Sequence, residues 1–526
     1  MMFLKYKFNI YQVLVIITFV VTVFFFYTNP DQFVSDNSLF YPVVAENIWS
    51  TGISTFNGYI ETNGYQPLWM FVSVVSVAIS SFFSFDLLMT IGFFYHLFLL
   101  GAIVIIYKMA KQWPFYNPHV VSLVLIFMFI SNGVLHNMES AMALFFVLLT
   151  LYYALKIDII SKKSFFIFGL LLGLVFLSRL DLLFFGVILS TYLIFRYHST
   201  IVKDPIVLIF LLFGLTLVVL PYLIHNITTF GHWLPISEQL SGELPTLSYA
   251  WANIYPYGAV SLLIALVEWG IAWTARIREA KVIILIMSIS TILQITYVAF
   301  FQHPQSWYFI TGFINFAVIF GYLLHKINIK WLTNIAFLSL VVVTMGTTYL
   351  KTISNYALSA HVLRLYQDKV GTAPWIFSKE SEAKRLAKEF RQKLSKKATI
   401  FTWYNPGSLA YYGKFHVFSA ADMSNGLIGN HLYDNKMIAD GVKNTFKKYN
   451  IQYTMVLLTK DKHKWYSSLE YIPEEGNRTT IKIYAKQNMK VCGQMKFNND
   501  MNNTNIIYSE NIAVAAFKIE NIKECE

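Results

Sequence analysis

The stretch Ser35–Trp49, "SDNSLFYPVVAENIW", follows the first apolar run of the chain and carries an aspartate, an asparagine and a glutamate. No lysine or arginine occurs between Lys7 and Lys108, so these acids sit beside a long apolar segment in a loop that offers no cation of its own. The question they pose is whether the loop lies next to a membrane and what acids would do there.

Composition settles the setting. The chain has 526 residues, 56% hydrophobic, 17% aromatic and 13% charged, with repeated long apolar runs, the pattern of a polytopic membrane protein and not of a soluble domain. Fifteen of its forty-one Lys and Arg residues precede residue 351, leaving twenty-six in the last third, where Asp and Glu number sixteen. The net charge of +12 is therefore concentrated in a soluble part and gives no indication of nucleic-acid binding. "YTNPDQF" after the first run lacks a small-x-small cleavage pattern, so that helix reads as a retained anchor.

Spans are expected near 10–27, 87–107, 119–134, 140–156, 164–178, 182–195, 206–224, 252–272, 282–301, 308–325 and 331–350. The run 66–86 is decided by charge. If it does not cross, Lys5, Lys7, Lys108, Lys111, Lys156, Lys162, Lys163, Arg196, Lys203, Arg276, Arg278, Lys281, Lys326 and Lys330 all fall on one side, the cytoplasmic side by the positive-inside rule. Only Arg179 then lies outside. The reading is eleven spans with the amino terminus cytoplasmic, 66–86 on or dipping into the outer leaflet, a transmembrane region 1–351 and an extracytoplasmic domain 352–526.

On that topology the polar residues of the membrane half collect on the outer side: Asp31, Asp36, Glu46 and Glu61, then "HNMES" (136–140), "SRLD" (178–181), "IHNITTFGHWLPISEQ" (224–239) and "FQHPQSW" (301–307). The helices beside "HNMES" and "SRLD" are shorter than the roughly 20 residues a span needs, which recesses these turns into a polar cavity. Glu268 falls toward the inner end of its helix and reads as structural; Trp69, Trp233 and Trp307 read as interface anchors.

"SDNSLFYPVVAENIWSTGISTFNGYIETNGYQPLW", "NMESAMALFFVLL", "LSRLDLLFF", "PYLIHNITTFGHWLPIS" and "SWYF" together resemble the GT-C superfamily of membrane glycosyltransferases, in its bacterial branch similar to arabinosyl- and mannosyltransferases that use polyprenyl-phosphate sugars. The resemblance runs through residues 1–350, and "ATIFTWYNPGSLAYYGKFHVFSAADMSNGLIGNHLYDN" is similar to the exported α/β domain of that branch. It implies a polytopic α-helical fold with a C-terminal extracytoplasmic α/β domain, a polyprenyl-phosphate-linked sugar donor, and a glycan, lipid or protein acceptor in the cell envelope. The family's paired acids in the first outer loop match Asp36 and Asn37, so one acid is kept and one is an amide, which weakens a two-carboxylate site for a divalent metal. The second acidic motif matches Glu139, and "SRLD" sets Arg179 and Asp181 beside the donor.

The chemistry asks for the same residue types. Sugar transfer to a hydroxyl needs a base, for which Asp36 is the candidate, and the departing phosphate needs cations or donors, for which Arg179, His225, His232 and His303 are available. Each has a plainer alternative: Asp36 or Glu139 as a helix cap, Arg179 and Asp181 as a structural pair, the histidines as interfacial side chains. A transporter or flippase for a lipid-linked sugar, or a non-catalytic scaffold, are the competing functions; transporters place polar groups at the midplane, whereas here they gather at one face.

In 352–526, "EAKRLAKEFRQKL" reads as an amphipathic helix and "ATIFTW" and "YTMVLL" as buried strands, with "NTFKKYN" at a helix end, a small α/β unit. Pro406 and Gly407 in "YNPGS" follow the first strand, where α/β ligand sites often lie, and read more readily as an ordinary turn. No phosphate-binding glycine signature or zinc pattern is present; Cys492 and Cys525 could pair in an exported domain, and "NRT" (477–479) and "NNT" (502–504) are sequons.

Overall fold

The structure is a computed structural model. It describes residues 9–112, 117–131, 137–157, 161–235, 266–267, 269–270, 278–301, 310–327, 329–354, 380–395, 397–402, 406–419, 448–459, 469–474, 478–484, 491–498, 505–508 and 512–523. His303, Trp307, Glu268, Cys525, Asn477, Asn502, most of the expected span 252–272 and most of "NTFKKYN" lie outside the described residues.

The apolar runs form helices because nothing else satisfies backbone polar groups away from water. They are α1 (Ile10–Thr28), α2 (Phe40–Thr51), α3 (Pro67–Phe83), α4 (Leu87–Gln112), α5 (Pro118–Ser131), α6 (Ser140–Lys156), α7 (Lys162–Ser178), α8 (Leu183–Arg196), α9 (His198–Lys203), α10 (Ile206–Phe230), α11 (Arg278–Phe301), α12 (Ile310–Ile327) and α13 (Lys330–Ser354). Ten of the expected spans coincide with described helices. By length and composition α1, α4, α10, α12 and residues 330–349 of α13 can each cross a membrane. Local signals set the ends: Asn9 accepts from the Tyr11 amide at 3.3 Å at the start of α1, and Gly52 and Gly231, with φ of 75° and 76°, close α2 and α10 in the left-handed conformation glycine tolerates.

Side-chain pairs fix the helix directions. Gln12 of α1 donates to Tyr107 of α4 while Gly92 of α4 abuts Phe26 of α1, so the two helices are antiparallel. Tyr11 meets Asn334 (2.6 Å) and Phe25 meets Tyr349 (centroids 6.1 Å apart), so α1 and α13 are parallel. Because α4 starts where α1 ends, the chain between them returns to the end it left. α3 runs antiparallel to α4, with Trp69 against Phe98 (6.4 Å) and Ser80 donating to Thr90 (2.9 Å). It therefore begins sunk beside Phe98, about 16 Å down α4 at 1.5 Å per residue, and climbs back to its starting end. Lys111, Lys156, Arg196, Lys203 and Lys326, in the last turns of α4, α6, α8, α9 and α12, lie at the other end.

Trp69 is not an interface anchor. It is fully buried, and its Nε1 donates to the Asn137 carbonyl at 3.1 Å, because it lies at the start of α3 on the face that packs into the bundle. Trp233 is exposed.

α7 and α10 pack backbone to backbone. Gly169, Gly173 and Gly214 make this possible: a Cβ on Gly214 would lie 2.3 Å from the Phe166 carbonyl oxygen, and one on Gly169 2.1 Å from that of Leu211. Gly169 and Gly173 are spaced as a small-xxx-small pair. Gly214→Ala is expected to cost about 1–3 kcal/mol through forced separation of the two helices. Gly346→Ala, with nothing within 4 Å, is expected to be neutral or slightly stabilising; thermal unfolding of both in detergent compares them.

The C-terminal part contains α14 (Glu380–Lys393), β1 (Thr399–Thr402), α15 (Pro406–Gly413), β2 (His416–Ser419), β3 (Tyr453–Thr459), β4 (Leu469–Glu474), β5 (Arg478–Tyr484), β6 (Val491–Asn498), β7 (Asn505–Tyr508) and β8 (Ile512–Lys523). The sheet order is β2-β1-β3-β8-β6-β5-β4, with β7 also on β8. β1 is parallel to β2 and β3, pairing Ile400 with Val417 and with Tyr453, and α15 is the crossover a parallel pair requires. From β3 onward every pairing is antiparallel. "YNPGS" is not an ordinary turn: Pro406 and Gly407 open α15.

Candidate active site

Four turns meet at the end of the bundle where α1 and α13 finish. Arg179, at the C-cap of α7, donates from Nη1 to Glu139 Oε1 at 2.6 Å and from Nε to Asp181 Oδ1 at 3.0 Å. Tyr41 of α2 donates to Glu139 Oε2 at 2.8 Å and accepts from the Gln66 amide at 3.3 Å; Gln66 Oε1 accepts from the Leu180 amide at 3.1 Å. Gln294 of α11 donates to Asp181 Oδ2, and Thr311 of α12 donates to Gln294 at 2.9 Å. All but the half-buried Gln66 are buried, Arg179 with 1% and Glu139 with 2% of their surface remaining exposed.

The sequence folds this way because each turn cannot continue its helix. Asn137, at φ +57°, turns the chain just before α6 and donates to the Leu88 carbonyl at 3.2 Å. Glu139 occupies the N-cap position of α6 without capping it, and its carboxylate reaches across to α2 and Arg179 instead. Burial first, and then the Glu139 charge, push the Tyr41 phenol well above its ordinary value, so Tyr41 is a fixed donor. Two carboxylates around one guanidinium leave the cluster one negative charge in excess.

Asp36 lies apart from this cluster, five residues ahead of Tyr41. Its Oδ1 accepts from the Ser408 amide and Ser408 Oγ, each at 2.7 Å, and Oδ2 from the Gly407 amide at 3.2 Å. It does not cap its own stretch: Ser38 Oγ accepts from the Ser35 amide (3.0 Å) and donates to the Ser35 carbonyl (2.7 Å) there. The first-loop acids are also not without cations, as the local sequence implied. Lys384 pairs with Asp31 and Lys414 with Glu46 at 2.8 Å, while Tyr412 donates to Asp31 at 2.9 Å. The cations come from the C-terminal domain, more than 350 residues away in sequence. Asn37 and Glu61 are exposed.

α7 and α10 are parallel, Gly173 lying against Val218, so His225 near the end of α10 is at the same end as Arg179. His225 is exposed, with Nδ1 3.3 Å from Thr229 Oγ1, and His232 is exposed beyond it. The structure thus joins Glu139, Arg179 and Asp181 in one network, sets Asp36 against α15, and leaves His225 and His232 on the surface. Sequence reasoning did not find Tyr41, Gln66, Gln294 or Ser408. Gln294, a lone amide inside an apolar helix, was the one readable signal among them. Among the described residues no three His, Cys, Asp or Glu side chains converge as metal ligands, and the donors around Asp36 are N–H and O–H groups, which a divalent ion would displace.

One polar end of the helical bundle is thus roofed by the first loop and a mixed-sheet domain. The structure of ArnT from Cupriavidus metallidurans bound to undecaprenyl phosphate matches with a TM-score of 0.54 at 12% identity, over 96% of this chain and 97% of that one. The same protein in the apo state matches with a TM-score of 0.49 at 12% identity, over 91% and 93%. No protein-family model and no curated protein sequence matches this chain. The first likeness establishes the fold, which the two chains share from end to end.

Proposed function

We propose that this chain takes a sugar from a polyprenyl-phosphate donor and transfers it, with inversion, to an extracytoplasmic acceptor, a cell-envelope glycan, lipid or protein. The observation that carries the reading is a fold shared along the whole chain with a protein solved with undecaprenyl phosphate. In this reading the polar end faces outside and the lysine-rich end is cytoplasmic. Asp36 takes the acceptor's hydroxyl proton as the new oxygen–carbon bond forms, and the bond from the anomeric carbon to phosphate breaks with its electron pair leaving on polyprenyl phosphate. Glu139, Arg179 and Asp181 form the floor: a guanidinium already enclosed by two carboxylates is a tie between turns, not a seat for a third anion. His225 and His232, exposed at that end, are candidates to donate to the departing phosphate, as is His303 on the topology expected from the sequence.

Two measurements test this. The protein in nanodiscs is expected to bind undecaprenyl phosphate but not undecaprenol by native mass spectrometry, and mass spectrometry of envelope glycans from a deletion strain is expected to show one sugar missing. Equal binding of both lipids with unaltered glycans would overturn it.

A further inference from the structure

Asp36 is oriented by groups that its own loop does not contain. Three donors on its carboxylate belong to the first turn of α15, 371 and 372 residues further along. The approach is close enough to require glycine: a Cβ on Gly407 would stand 2.2 Å from the Asp36 carbonyl oxygen and 3.2 Å from Oδ1. The contact is set in register by the Asp31–Lys384, Asp31–Tyr412 and Glu46–Lys414 pairs around it, and by His416 Nδ1, 2.8 Å from the Asn57 carbonyl.

A carboxylate that is to accept a proton in a transition state has to be ionised beforehand and held in one plane. Donors on a rigid helix start do both, because they bond the charged form and cannot follow the side chain elsewhere. We infer that Ser408, with the Gly407 amide, is a positioning residue for Asp36, so that the reaction centre is assembled from both ends of the chain and the C-terminal domain is part of it. This rests on the reading of Asp36 as the base.

Removing the Ser408 hydroxyl takes one donor from the charged form and so raises the pH at which Asp36 gains its proton. The other titratable and charged groups around this contact include Asp31, Tyr41, Glu46, Asp86, Tyr411, Tyr412, Lys414, His416 and, on α14, Lys384, Arg385, Lys388, Glu389, Arg391 and Lys393, and none is altered by the substitution. In nanodiscs loaded with the polyprenyl lipid extract of the parental strain, Ser408→Ala is expected to lower kcat about tenfold, the scale of one charge-assisted hydrogen bond, with KM little changed and the acidic limb of the pH profile moved upward. Ser408→Thr restores both. Lys414→Ala, which loosens the same interface without touching Asp36, leaves the acidic limb in place. An unmoved limb in Ser408→Ala, with a loss no greater than that of Lys414→Ala, would overturn the inference while a dead Asp36→Asn variant kept the base reading alive. An active Asp36→Asn variant would instead remove the base reading and this inference with it.

Discussion

Arg179→Leu is expected to reduce the amount of folded protein sharply, with a loss of about 3–5 kcal/mol, the cost of removing one partner from a buried ionic group. Glu139 and Asp181 approach the guanidinium at 2.6 and 3.0 Å with almost no solvent contact, so the leucine variant leaves two carboxylates buried together and the local charge doubles from one negative to two. Lost packing of the arginine stem adds to this. The loss should be recoverable: Arg179→Met combined with Glu139→Gln and Asp181→Asn removes all three charges, and buried ionic groups can often be exchanged for neutral ones with little net cost. Thermal unfolding in detergent and membrane yield report the effect. A leucine variant with parental Tm and abundance but failed sugar transfer would reassign Arg179 to the donor phosphate.

Asp36→Asn is expected to lower transfer on the order of a hundredfold or more, the scale for losing a general base. The structure refines how that loss is read. The asparagine carbonyl can still accept from Ser408, but its NH2 faces the Gly407 amide, a donor opposite a donor, so docking weakens by about 1–3 kcal/mol. Asp31→Asn is the comparison, since it removes the Lys384 ion pair, keeps an acceptor for only one of the Lys384 and Tyr412 donors, and leaves Asp36 untouched. Transfer that survives in Asp31→Asn and disappears in Asp36→Asn assigns the loss to the carboxylate itself. Equal losses in the two would make Asp36 a docking group and turn attention to Glu61, since Glu46 is paired with Lys414 and Glu139 is buried against Arg179.

The helices were legible because a bilayer leaves an apolar run of sufficient length only one conformation; for 66–86, Lys and Arg in short loops suggest a side of the membrane, and the structure shows a helix antiparallel to α4 that returns to the end where α1 finishes. Arg179 and Asp181, two residues apart, were legible as a pair; Glu139, their third member, is 40 residues from Arg179, and no local pattern marks such a contact. Trp69 was misread because hydropathy registers that a tryptophan is near a helix end, not whether the helix dives. The acids of the first loop were misjudged for the same reason at greater range. A loop without lysine is short of cations only if nothing folds back onto it, and Lys384, Ser408 and Lys414, which meet Asp31, Asp36 and Glu46, all come after residue 383.

The dock between the first loop and the last domain also sets a timetable for biosynthesis. When Asp31 and Asp36 leave the ribosome, Lys384 and Ser408 are 353 and 372 residues from being made. At about 5–20 residues per second that is a wait of roughly 20–70 s. For that interval the loop's acids have only water for company, and the bundle's polar end stays unroofed until nearly the whole chain has been synthesised.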